Sequence, residues 1–149
     1  MTTNLDISEL EGAAGRDLGA GEWHEIGQER VNLFADATDD HQWIHLDPVA
    51  AAAGPFGATV AHGYLTLSLI PALLPEILVI EGASIAVNYG IERVRFPAPV
   101  RVGSRVRLKA SLGRVEPRSF GIAYHVEVTV EIEGEAKPGL VGEVIFLAA

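Results

Sequence analysis

Between Asp39 and Asp47 the sequence reads DDHQWIHLD, placing three carboxylates, two imidazoles and a tryptophan in nine positions. Carboxylates beside imidazoles suit two chemistries, metal ligation and proton transfer near neutral pH. Ligation from one helix face needs donors three or four residues apart, and a calcium loop needs alternating oxygen ligands around a central glycine. His41 and His45 are four apart, but neither an H-E-x-x-H motif nor a calcium loop occurs here, so no metal is expected. Asp40 and His45 are five residues apart, so a loop rather than helical stacking must bring them together. Held in a partly apolar setting, the two can share a water molecule and move its protons. A plain helix end at Asp40 and a satisfied polar niche around His45 would use the same residue types, and at this level both readings stand. Asp40 fits the passive one less comfortably. A carboxylate at a helix C-terminus meets the negative end of the dipole, at a cost of about 0.3–1 kcal/mol. Nucleophilic catalysis has little to work with, since there is no cysteine and no serine sits in G-x-S-x-G.

A second stretch, FGATVAHGYLTLSL from Phe56 to Leu69, puts His62 and Gly63 where an apolar segment begins. Free backbone N–H groups and the positive dipole end at a helix start favour a developing negative charge. Glycine there also lets a substrate approach the backbone. The competing reading gives Gly63 a role in close helix packing and makes His62 a capping or core histidine.

These residues need elements to hold them. Glu22 to Ile26 reads as a brief strand, and Val31, Phe34, Ala35 and Thr38 recur at helical spacing, predicting a helix from Gln28 to about Thr38 that ends where the polar cluster begins. Asp47-Pro48 has the form of an N-cap followed by proline at the first helical position, opening a short helix through Ala53 that Gly54-Pro55 stops. Ala61 to Leu74 is apolar nearly all round, which predicts a central helix buried on every side. Beyond Gly82 the period changes to two. Arg101 to Leu112 sets Val102, Val106, Leu108, Ala110 and Leu112 against Arg101, Arg105, Arg107 and Lys109, and Phe120 to Ile132 repeats the alternation with Phe120, Ile122, Tyr124, Val126, Val128, Val130 and Ile132 inward. Ala83 to Phe96 and Leu140 to Leu147 read as two further strands. An antiparallel sheet curled around one long buried helix satisfies both patterns, an α+β hot-dog architecture forming a single domain over residues 1–149.

Composition narrows the function classes. The formal net charge of -9 opposes a nucleic-acid partner. Eight of the 11 basic residues lie between Arg93 and Arg118, a segment whose one acid is Glu116, so a small anionic group could be held there. The most apolar region, Ala58 to Ile80, is interrupted by His62, Pro71, Pro75 and Glu76 and cannot pass as a membrane span. No secretory signal is visible in MTTNLDISELEG, and the absence of cysteine fits a reducing compartment, so a cytoplasmic protein is expected.

Taken together, the two stretches resemble the MaoC-like dehydratase family, which includes (R)-specific enoyl-CoA hydratases with a hot-dog fold. The family pattern G-D-x-N-P-[LIV]-H-x-D corresponds to DDHQWIHLD, its aromatic-glycine and [IV]-[AV]-H-G element to FGATVAHG, and its strand, proline bend and V-G-D-x-[VL] turn more loosely to RVRFPAPVRVGSRVR. The resemblance runs from about Gln28 to the last strand. It implies Asp40 and His45 as the catalytic pair, Gly63 as the oxyanion-hole N–H, and Gln42 and His62 as groups that position substrate or water. It further implies a trans-2-enoyl-CoA substrate hydrated to the (R)-3-hydroxyacyl-CoA, or the reverse, and a homodimer with clefts near its interface. No cofactor is implied beyond the coenzyme A carried by the substrate, whose phosphates the arginines of 93–118 could meet. Asp39 departs from the family glycine, Gln42 from its asparagine and Trp43 from its proline. A hot-dog thioesterase would place an acid on the central helix, and Ala61 to Leu74 contains none. A non-catalytic acyl-binding subunit would lack the Asp/His pair, and both members are present here.

Overall fold

A computed structural model describes residues 1–149. Its main sheet has the strand order β2 (Asp17–Ala20), β6 (Arg105–Arg118), β7 (Gly121–Ile132), β8 (Leu140–Ala148), β5 (Ala86–Arg95), all antiparallel, with the two-residue β3 (His24–Glu25) also pairing on β6. The alternation in β6 and β7 puts Val106, Leu108, Ala110, Leu112, Tyr124, Val126, Val128, Val130 and Ile132 into the core. The same face of β8 contributes Val144, Phe146 and Ala148, and these side chains join Leu65, Ile70, Leu73 and Leu74 of the central helical segment in one cluster of 26 buried residues. Helix and sheet therefore share one core, with the sheet's other face turned to solvent. This is the hot-dog arrangement that the resemblance implies.

The central helix departs from expectation in two respects. It starts at Gly63 and runs in segments, α4 (Gly63–Ser68) and α5 (Ile70–Leu73), continued by a 3-10 turn over Leu74–Glu76. Pro71 and Pro75 lack the N–H groups that a continuous helix would use. It is also not buried all round, because Tyr64, Ser68, Pro71 and Ala72 are exposed along one side. Sequence hydropathy cannot distinguish an apolar surface stripe from a core stripe.

Other differences are local. Phe120 is 68% exposed rather than inward, because it lies in the tight turn between Arg118 and Gly121 and outside the ladder whose period was extended to it. The strand expected from Arg101 begins at Arg105, after a turn at Val102–Gly103. The stretch from Ala83 becomes a strand only at Ala86. Before it, β4 (Leu78–Glu81) pairs in parallel with the N-terminal β1 (Thr3–Asp6), a two-stranded sheet that no periodicity announces.

Three helices precede the central one: α1 (Gln28–Thr38), α2 (Trp43–Leu46) and α3 (Pro48–Ala52). Asp47 caps α3 as its sequence predicts, its carboxylate accepting from the N–H groups of Val49 and Ala50. Residues 59–61 run beside 100–102, with Ala61 N–H donating to Val100 O at 2.8 Å and Val102 N–H to Thr59 O at 2.9 Å. That pairing fixes the approach to Gly63.

Candidate active site

The α1 helix ends at Asp39, whose φ of 59° lies in the left-handed region. A left-handed residue is a common way to end a helix, and glycine is its usual occupant because it has no Cβ to strain. The position that departs from the family glycine thus retains a glycine-like backbone, which aspartate tolerates better than most residues. The turn made there sends Asp40 out of the helix and back toward α2.

His45 sits on α2 and is 7% exposed. Its Nδ1 lies 2.6 Å from the carbonyl oxygen of Val60. A carbonyl only accepts, so Nδ1 carries the proton and the neutral ring offers a lone pair at Nε2. Burial holds the imidazole below the usual histidine range; the Val60 bond opposes that shift, neighbouring His62 adds to it, and Asp40 opposes it. At neutral pH His45 is therefore an uncharged proton acceptor. The ligating atoms of Asp40, His45 and His62 lie within 4.8 Å of one another, so the five-residue spacing does bring Asp40 and His45 together.

His62 is the N-cap residue of α4, but its side chain makes no capping bond. Its Nε2–H donates to the Asp40 carbonyl at 2.9 Å, and its ring stacks on His45 with centroids 3.8 Å apart. It is 2% exposed, and its Nδ1 has no partner. Each histidine commits one nitrogen to a backbone carbonyl, and the remaining nitrogen of His62 is occluded. The trio therefore presents two reachable donors, the Asp40 carboxylate and His45 Nε2, which suits holding a water better than enclosing a metal.

Gly63 is the first residue of α4, so its N–H has no intrahelical acceptor. A Cβ placed on it would come within 3.1 Å of the Phe96 ring. Gly63 and Phe96 border a pocket of about 280 Å³ that also takes in Phe56, Thr66 and Val100. Gln42 is exposed and caps α2 without a side-chain hydrogen bond, leaving its amide available. Trp43 is half-exposed, and its ring packs against Gly54. His41 turns away from the pair to Asp36, 3.0 Å from its Nε2, and that carboxylate raises its pKa.

Half of the basic segment's eight cations are committed to carboxylates. Arg105 pairs with Glu133, Arg107 with Glu131, Arg114 with Glu92 and Glu116, and Arg118 with Glu116. Most of those acids lie outside 93–118 and meet the arginines only across the sheet. A second cluster, Glu92, His125 and Glu143, went unnoticed in the sequence. His125 lies on the outer face of β7 yet is 2% exposed, with Nδ1 hydrogen-bonded to Glu143 and Nε2 accepting from Arg114 at 3.3 Å. Arg114 already supplies the cation in that cluster.

The family described as "MaoC like domain" matches residues 9–136. The chain is 53% identical over 146 residues to 3-hydroxyacyl-thioester dehydratase Z of Mycobacterium tuberculosis, covering 97% of both chains. It is 44% identical to nodulation protein N of Rhizobium leguminosarum, over 91% of this chain and 86% of that one. Among solved structures, the (R)-hydratase from A. caviae involved in PHA biosynthesis superposes with a TM-score of 0.72 at 25% identity, over 89% of this chain and 94% of that one.

Proposed function

This chain belongs to the MaoC-like dehydratase family, and from that premise we propose that it hydrates trans-2-enoyl-CoA to (R)-3-hydroxyacyl-CoA, or runs the reverse dehydration, through Asp40 and His45. Dehydratase or hydratase activity on 3-hydroxyacyl thioesters, a carbon-oxygen lyase reaction, has the support of the relatives. The (R) outcome draws on the likeness to the (R)-hydratase. The observation that carries the reading is a neutral, buried His45 whose Nδ1 is committed to the Val60 carbonyl, with a ligating atom of Asp40 within 4.8 Å of one of its own.

In the hydration direction a water between the two groups donates one O–H to Asp40 and the other to His45 Nε2. His45 takes its proton as the oxygen bonds to the β-carbon, and electron density moves through the α-carbon onto the thioester oxygen. The Gly63 N–H, unpaired at the helix start, donates a hydrogen bond to that oxygen as its negative charge develops. The α-carbon then takes a proton from the pair, which returns to its starting state. Gln42 offers its exposed amide to water or substrate, and His62 positions Asp40 through the main-chain bond and His45 through the stacked ring. This proton transfer requires no resident cofactor.

The molecule acts as a homodimer in this reading. Strand β5 is an open sheet edge bearing exposed Ile85, Val87, Tyr89 and Ile91 at or near it, and long apolar edges are ordinarily covered. Coenzyme A's phosphates fall to the segment's cations without a carboxylate partner, Arg93, Arg95, Arg101 and Lys109. The chain has no helix long and apolar enough to cross a membrane, and a cytoplasmic setting fits a CoA substrate.

The test is hydration of crotonyl-CoA, followed by loss of enone absorbance, with chiral analysis of the product. Parent protein should form the (R)-alcohol, and Asp40→Asn and His45→Gln should be severely impaired. Undiminished turnover in either variant refutes the pair, the (S)-alcohol refutes the stereochemistry, and release of free thiol without hydration marks a thioesterase.

A further inference from the structure

The main-chain carbonyl of His45 lacks its normal helical partners. The residue three along is Pro48, which has no N–H, and the N–H four along, on Val49, is taken by the Asp47 side chain. A carbonyl left unpaired in a half-buried place costs free energy, so its partner is worth identifying. That partner is Gln28, the first residue of α1. Its Nε2–H donates to His45 O at 2.7 Å, its other amide hydrogen to Asn32 Oδ1 at 2.9 Å, and its Oε1 accepts the Thr59 hydroxyl at 2.8 Å. Thr59 is 5% exposed and immediately precedes Val60, the acceptor for His45 Nδ1. A backbone bond from Val60 N–H to Ile44 O, 3.0 Å, lies between them.

One amide thus joins both ends of the bond that sets the His45 tautomer. We propose that Gln28, with Thr59, is a positioning residue for His45: it braces the His45 main chain against the 59–60 segment so that Nδ1–H stays on the Val60 carbonyl and the Nε2 lone pair faces Asp40. The side-chain hydrogen bonds of Gln28 go to Asn32, the His45 carbonyl and Thr59, and none goes to Asp40 or the His45 ring. If the clamp opens, the same imidazole in the same fold can swap its proton to Nε2, where it no longer accepts from water. This inference rests on the reading of His45 as the proton acceptor.

The experiment compares parent, Gln28→Leu, Thr59→Val and the conservative Thr59→Ser. Crotonyl-CoA kinetics are measured beside the nitrogen chemical shifts of the His45 ring, which report the tautomer. Parent and Thr59→Ser should show a protonated Nδ1 and equal kcat. Gln28→Leu and Thr59→Val should show mixed tautomers and a kcat lower by about 10- to 100-fold, the scale of a small misplacement of a reacting group, with KM little changed. The acid limb of their rate profile should move to higher pH, because loosening relieves the burial that is the larger influence on this ring. A kcat within about threefold of parent in Gln28→Leu, or a protonated Nδ1 retained there whatever the rate does, overturns the proposal. A parent without hydratase activity overturns the functional reading instead, and the tautomer comparison still decides the clamp.

Discussion

Replacing Gly63 by alanine separates a glycine required for packing from one required for chemistry. The added Cβ would meet three carbons of the Phe96 ring at 3.1 Å, and overpacking of that kind costs about 1–3 kcal/mol when nothing yields. Phe96 is 40% exposed and free to yield, which places the cost near the low end. Gly63 is not among the positive-φ glycines, so alanine also restricts the unfolded chain and returns about 0.4–1 kcal/mol. The net loss is between about zero and 2.5 kcal/mol, or at most about 10 °C in Tm for a domain of this size. Against a typical stability of about 5–15 kcal/mol the variant remains folded at assay temperature. Its activity should nevertheless fall sharply. In the proposed mechanism the methyl group obstructs the approach of the thioester oxygen to the N–H, and losing one oxyanion donor costs about 10²- to 10³-fold in kcat. Thermal melts and crotonyl-CoA hydration on the same preparation give both numbers. Near-parent kcat with a lowered Tm would refute the oxyanion role and leave Gly63 as a packing residue.

Asp40→Asn and His45→Gln should each lower kcat by about 10²- to 10⁴-fold, the range of general acid-base contributions, and the double variant should be little worse than the worse single one. Because burial lowers the pKa of folded His45, the unfolded chain binds more protons at this residue between the folded value and the ordinary 6.5. The stability contributed by this group is therefore present above pH 6.5 and lost as pH falls through the folded value, so Tm of the parent should drop more steeply than that of His45→Gln on acidification. Asp39→Gly relieves a left-handed aspartate and should raise Tm by a few degrees, less whatever glycine costs through the unfolded chain, while Asp39→Ala should lower it. Equal melting points for these two variants would refute the conformational account of Asp39. Treatment with a chelator should leave hydration unchanged, measured as initial rate before and after dialysis.

Much of the fold could be read locally. The bounds of α1, the Asp47 cap and the inward faces of β6 and β7 follow from periodicity and capping chemistry that involve only near neighbours. The extension of a period past its strand failed at Phe120, where a tight turn intervenes, and the expectation of a helix buried on every side failed at Tyr64, where an apolar residue faces outward. The β1–β4 pair was invisible because its partners are more than 70 residues apart and each strand is only four residues long. The basic segment read as a reservoir of free cations because Glu92, Glu131 and Glu133 meet it only when the strands pair.

The sequence by itself determined which groups are available for chemistry: an aspartate and a histidine at a spacing that needs a loop, a His-Gly at the start of an apolar helix, and no thiol. Tertiary structure decided their states. His45 carries its proton on Nδ1 because the Val60 carbonyl, 15 residues away, lies 2.6 Å from it. It is held uncharged because its surroundings exclude water. Asp40 faces it because Asp39 takes a left-handed turn, and Gln28 acquires a role because Pro48 and Asp47 leave a carbonyl without a donor. Residue types are written in the chain, whereas the direction of a lone pair depends on which distant backbone groups the fold brings within hydrogen-bond reach.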